Sequence, residues 1–151
     1  MALPTSLTLE IVTPDRLLVR ESVDEVEIPG REGYFGVLPG HTPLLASLAV
    51  GEMWYRKGPE KIYLAISQGF AEVLPDRVTI LAQIAERAEE IDVARAEEAR
   101  RRAEARIIAE QSDVDYERAR LALVKSLARL QVSSRVQLAG RVGGRRKPPQ
   151  A

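Results

Sequence analysis

Between Leu7 and about Ile84 the apolar positions fall in short runs rich in Val, Ile, Leu and Thr, cut at intervals of roughly ten residues by Pro or Gly. That rhythm predicts strands rather than helices. The clearest runs are Leu7 to Val12, Asp24 to Ile28, Gly36 to Leu38, Leu44 to Val50, Met53 to Arg56, Lys61 to Ile66, Phe70 to Leu74 and Arg77 to Ala82. In Glu25-Val26-Glu27-Ile28 the two apolar side chains share one face and the two carboxylates the other, so one face is expected to be buried. The breakers Thr13-Pro14-Asp15, Pro29-Gly30, Leu38-Pro39-Gly40, Lys57-Gly58-Pro59 and Leu74-Pro75-Asp76 carry turn chemistry, because Pro fixes φ and Gly supplies positive φ. Eight or more short strands packed this closely predict a sandwich or flattened barrel, which closes or covers the sheet edges.

The pattern changes at Glu86. From there to Gln131 there is no Gly and no Pro, and Ala, Arg, Glu and Leu dominate, which predicts helix. Asp92 stands where an N-cap belongs, ahead of the run Ala96 to Ala103. Gln111-Ser112-Asp113 interrupts the run, and Ser112 or Asp113 can cap a second helix reaching about Val132. So short a connection makes an antiparallel hairpin the default. The expected division is a β domain over 1–87, a helical hairpin over 88–133 and a disordered basic tail over 134–151. The tail expectation rests on Gly140 to Pro149, which holds four basic residues, three glycines and two prolines.

Size and charge narrow the functions. A chain of 151 residues suits one core with an appendage. With 22 basic and 22 acidic residues there is no net charge, which argues against a general nucleic-acid or lipid binder, and any electrostatic role must be local. Zero cysteines exclude disulfides, thiolate nucleophiles and cysteine metal sites, and one histidine leaves little for a zinc centre. The stretch Gly33 to Gly51 is uncharged apart from His41, yet Pro39, Gly40 and Pro43 make it strands and turns rather than a membrane span. The opening Met-Ala-Leu-Pro-Thr-Ser has no basic and apolar signal pattern.

At 100° per residue Arg95, Arg102 and Arg106 form one line on the first helix, and Arg118, Lys125 and Arg129 repeat the same seven-then-four spacing on the second. Beside these lines run apolar stripes: Ala96, Ala99, Ala103 and Ile107, then Tyr116, Ala119, Leu123, Leu127 and Leu130. If the stripes face each other, both basic lines can border one seam. Two readings follow: solvated arginine faces supported by pairs such as Glu98 to Arg102, or a polyanion site, since a guanidinium fork gives two hydrogen bonds to one oxyanion. An alanine-rich stripe buries little area, each methyl being worth about 0.8 kcal/mol, so the hairpin is expected to be able to leave its resting place. An enzyme is not expected. There is no P-loop, dinucleotide fingerprint or nucleophile elbow, and His41 reads as a turn residue.

Three segments resemble the epsilon subunit of bacterial F-type ATP synthases. They are Glu27 to Leu45, with its Gly-x-x-Gly-x-Leu-Pro-Gly-His-x-Pro-Leu-Leu core; Gly69-Phe70-Ala71-Glu72-Val73 with the Val78 to Ala82 strand; and Ile91-Asp92-Val93-Ala94-Arg95-Ala96. The resemblance implies a β-sandwich of about ten strands bound to the gamma subunit and the c-ring, followed by two helices that switch between folded and extended forms. It implies a non-catalytic rotor-stalk role in a proton-translocating synthase, peripheral on the cytoplasmic face of a bacterial plasma membrane and reaching the membrane only through the complex. It also implies that the helices restrain ATP hydrolysis. The resemblance implies no required cofactor and allows ATP as a regulatory ligand. In nucleotide-binding members the matching positions are Glu86, Ile91, Asp92, Arg95, Arg102, Lys125 and Arg129, with Lys125 standing where arginine is usual. The ring-facing candidates are Gly30, Arg31, Glu32 and Gly33 with Pro39, Gly40 and His41. Arg118, Arg120, Lys125 and Arg129 are the candidates for acidic regions of the alpha/beta catalytic head. The alternative is a free-standing ATP-sensing module whose sandwich is only a scaffold.

Overall fold

The computed structural model describes residues 2–109 and 112–143. Eight strands fill the first part: β1 Leu7–Val12, β2 Leu17–Val23, β3 Glu25–Gly30, β4 Gly33–Val37, β5 Leu44–Leu48, β6 Gly51–Lys57, β7 Glu60–Leu74 and β8 Arg77–Arg87. They pair in the order β2-β1-β8-β7-β5-β3-β4, with β6 joined to both β3 and β7. All the pairings are antiparallel except β1 with β8, where Leu9 lies beside Val78 in parallel register. Val26 and Ile28 are fully buried and Glu25 and Glu27 only half-buried, as the alternation requires. Leu7, Leu9, Ile11, Met53, Leu64 and Ile80 complete the centre of the sandwich.

The eight strands described are fewer than the ten implied by resemblance; β8 runs five residues past its predicted end at Ala82, so Glu86 and Arg87 are strand rather than helix, and the strands differ from the predicted runs in two further places. β2 is absent from those runs because Arg20, Glu21 and Ser22 dilute its apolar residues. It is an edge strand, and such charges discourage pairing with a second chain. The runs Lys61 to Ile66 and Phe70 to Leu74 are a single strand. Within β7 the chain passes through positive φ at Gln68 (53°) and Gly69 (136°) without losing register against β8. A Cβ on Gly69 would sit 1.9 Å from the Leu81 carbonyl oxygen, so only glycine fits. Before that bend β7 pairs with β6, and after it with β5.

A 3-10 turn, Ala88–Glu90, leads into α1, Val93–Ala109, and α2, Asp113–Gly143. The Asp92 carboxylate accepts from the Arg95 N–H at 3.1 Å, and Ser112 Oγ accepts from the Asp115 N–H at 3.3 Å, so both expected caps are made. α2 runs past the expected end near Val132. Residues 134–143 are therefore helix rather than disordered tail, and 144–151 lie outside the described residues. No Gly or Pro interrupts Ser134 to Ala139, and Arg135 is tied to the sandwich, so nothing stops the helix there.

α2 packs on β6, β7 and the 3-10 turn, and α1 packs on α2. Val132 is fully buried against Ala65, Ala88 and Ile91, with Tyr63 alongside. Ala96, Ala103 and Ala119 are buried as the stripes predict, but Tyr116 and Leu127 are exposed. α2 covers two surfaces at once, so its seam is not a simple leucine stripe. Ser126 and Ser133, seven and fourteen residues beyond Ala119, are buried instead, their hydroxyls bonded to the Leu123 and Leu130 carbonyls at 2.8 and 2.9 Å.

Candidate functional site

The end of β8, the 3-10 turn, α1 and α2 converge on a cavity of about 470 Å³, a size in the range of small-ligand sites (roughly 300–1,000 Å³). Six of the seven positions matched to a nucleotide site line it. Glu86 comes from β8, Ile91 and Asp92 from the entry to α1, Arg95 and Arg102 from α1, and Arg129 from α2. The seven-residue step of Arg95 and Arg102 places both on the α1 wall. Lys125 does not reach this cavity. It lies one turn before Arg129, in a crevice with Val50, Ala65, Ile66, Ser67 and Ile84, because that face of α2 meets the sandwich.

Glu90, Ala96, Glu98 and Ala99 also line the cavity and were not among the predicted site residues. Glu98 was visible only as the i,i+4 partner of Arg102, a pair closed at 2.9 Å. Arg129 is bound to Glu86, and Glu90 to Arg16 at 2.8 Å. Among the described residues Arg95 has no ion-pair partner. Counting Arg16 on Glu90, four carboxylates here meet four guanidiniums, so the lining suits a ligand carrying both N–H donors and an anionic group rather than a bare polyanion.

The other candidates are more scattered. Gly30 pairs with Gly33 across the two-residue turn Arg31-Glu32, and a Cβ on Gly30 would lie 2.8 Å from the Gly33 carbonyl oxygen. Pro39 and Gly40 are the centre of a turn closed by the His41 N–H on the Leu38 carbonyl at 3.1 Å, with Gly40 at φ 86°. His41 Nδ1 lies 2.6 Å from the Thr42 carbonyl oxygen, consistent with a turn role. These two turns stand at opposite ends of β4, roughly 17 Å of strand apart, and do not form one compact edge. On α2, Arg118 and Arg120 are exposed, the latter paired with Glu117 at 3.3 Å, whereas Lys125 and Arg129 are half-buried against the sandwich.

Residues 6–88 match the beta-sandwich domain of the ATP synthase Delta/Epsilon chain, and residues 89–134 match the long alpha-helix domain of the same chain. The chain belongs to the ATP synthase delta/epsilon family. Within this family it is similar to the ATP synthase epsilon chain of Koribacter versatilis, 59% identical over 98 residues, which covers 65% of this chain and 69% of that one. It is 50% identical to the ATP synthase epsilon chain of Nitratidesulfovibrio vulgaris (strain DP4) over 127 residues, 84% of this chain and 95% of that one. Its fold matches a chain in the cryo-EM structure of the Euglena gracilis mitochondrial ATP synthase OSCP/F1/c-ring with a TM-score of 0.74 and 25% identity, covering 92% and 84% of the two chains. A delta/epsilon-family chain of this kind is an epsilon-type subunit of an ATP synthase. No helix of the described residues is long and apolar enough to cross a membrane.

Proposed function

We propose that this delta/epsilon chain is a non-catalytic rotor subunit, joining gamma to the c-ring through its sandwich and restraining ATP hydrolysis through its helices, with ATP as a regulatory ligand. The observation that carries the regulatory part is that the cavity exists only while the hairpin is folded, because β8, the 3-10 turn, α1 and α2 each supply part of its wall. A ligand held there stabilises the folded form by mass action, by about 2.7 kcal/mol at a hundredfold excess over its Kd. Arg95 and Arg102 take phosphate oxygens, and Glu86 and Asp92 accept N–H donors from the base.

In the folded form Lys125 and Arg129 are half-buried between α2 and the sandwich. An extended hairpin would free them, and with Arg118 and Arg120 they would meet acidic regions of the alpha/beta catalytic head. ATP that prefers the folded form then lowers inhibition by its differential affinity for the two forms. The complex sits on the cytoplasmic face of a bacterial plasma membrane in this reading, and proton movement drives the ring.

Titration calorimetry of the isolated chain tests the ligand. ATP is expected to bind, inorganic triphosphate to bind much more weakly, and Arg95→Ala to lower ATP affinity by about tenfold or more, the loss of a charge-assisted contact. Equal affinity for the variant and the parent would remove Arg95 from the site. Deleting residues 88–151 tests the restraint: the assembled enzyme should hydrolyse ATP faster while remaining coupled. Co-purification with gamma separates the rotor role from a free-standing nucleotide sensor, which would not bind gamma.

A further inference from the structure

Among the described residues two ion pairs join α2 to the sandwich. Arg129 with Glu86 belongs to the cavity wall, so any ligand there rearranges or competes with it. The second is built differently. Arg135 donates from Nε to one Glu52 carboxylate oxygen at 3.1 Å and from Nη2 to the other at 2.9 Å, a bidentate fork. Its guanidinium lies 5.1 Å from the centre of the Tyr63 ring, within stacking range. Glu52 is only 7% exposed on β6, and its backbone N–H donates to the Tyr34 hydroxyl at 3.3 Å. Neither residue touches the 470 Å³ cavity. The matched helical family domain ends at residue 134, one short of Arg135.

We propose that Glu52 and Arg135 form a nucleotide-independent latch that holds the far end of α2, and with it the hairpin, on the sandwich. A carboxylate so covered needs its partner. With α2 docked and the guanidinium removed, Glu52 would be a buried charge without compensation, whereas undocking returns it to water. Loss of Arg135 therefore favours the undocked hairpin directly. Lysine cannot replace it fully, because a point charge lacks the fork and the stacking plane. The holding role stands without ATP. Its consequence for the rotor, a resting bias toward the uninhibited form, rests on the function proposed above.

The chain has no cysteine, so two can be introduced at exposed positions, Glu60→Cys beside β6 and Leu138→Cys on α2, and labelled for distance measurement in the ligand-free full chain. The parent should give mainly the short distance. Arg135→Ala and the shape-preserving Glu52→Gln should each raise the undocked fraction by about tenfold, and Arg135→Lys by less. The double variant E52K/R135E should restore part of the docked fraction, which a merely space-filling role would not do. Unchanged amide exchange of β1 and β8 reports that the sandwich is intact in each case. Undocked fractions within twofold of the parent for both Arg135→Ala and Glu52→Gln would overturn the latch. Failure of ATP to bind in calorimetry would overturn the nucleotide reading alone and leave this distance result standing.

Discussion

The sandwich and the hairpin are held together by different means. The sandwich buries Leu7, Leu9, Ile11, Ile28, Met53 and Tyr55 completely, side chains worth about 1.5–3 kcal/mol each when removed from water. The two helices bury Ala96, Ala103, Ala119, Ser126, Ala128 and Ser133, with Val132 as their one large buried aliphatic among the described residues. Small side chains allow helices to approach closely but remove little apolar surface. Attachment of the hairpin to the sandwich therefore leans on Val132 and on the pairs Arg129–Glu86 and Arg135–Glu52. A region stabilised by many apolar contacts unfolds as a unit, and one attached by a few polar contacts can leave without unfolding the other.

The largest expected effect tests the sandwich half of that contrast. Ile28→Ala should lower global stability by about 2–5 kcal/mol, read as a fall in the urea midpoint with little change in slope. A loss much smaller than this would mean that the core relaxes and is not the rigid partner. The helices should respond next. Ala103→Leu overpacks the close approach of α1 to α2 and should cost about 1–3 kcal/mol of local protection, seen as faster amide exchange in α1 while β1, β7 and β8 exchange as before.

The pH dependence separates the regions again. Tyr55 is sealed in the core, and its pKa is pushed up to about 12, first by burial and then by the charge of Glu21. The folded state thus keeps its proton longer than the unfolded chain does. Stability from the neutral phenol is fully present below pH about 10 and is lost as pH rises toward about 12. Tyr55→Phe should flatten the denaturation midpoint across that window. The smallest effect belongs to the outer face of α1, where Arg100 is held by Glu97 at 2.9 Å and by Glu104 at 2.9 Å. Arg100→Ala should leave both the melting temperature and the exchange of the sandwich unchanged within error, because exposed pairs of this kind contribute little.

The sandwich-then-hairpin division was legible from the distribution of Gly and Pro, and the caps Asp92 and Ser112 from local chemistry. β2 was not, because an edge strand uses charge to protect itself and so loses the apolar signature that reveals inner strands. The bend in β7 read as a strand end because glycine marks both. Helix phase placed Arg95 and Arg102 on one wall. It could not say which neighbour each face of α2 would meet, so Lys125 was grouped with the cavity residues although of the two only Arg129, which borders both the cavity and the Lys125 crevice, reaches them. The fork between Glu52 and Arg135 joins positions 83 apart in the chain, beyond the reach of any local pattern.

The parallel register of β1 beside β8 also orders events during synthesis. Leu9 has no neighbour on that side until Val78 has left the ribosome, so an early strand waits through nearly half of the chain with one edge open. Completion of the sandwich is then the slow, long-range step. Docking of the hairpin depends on that step, because α2 rests on β6, β7 and the turn that follows β8.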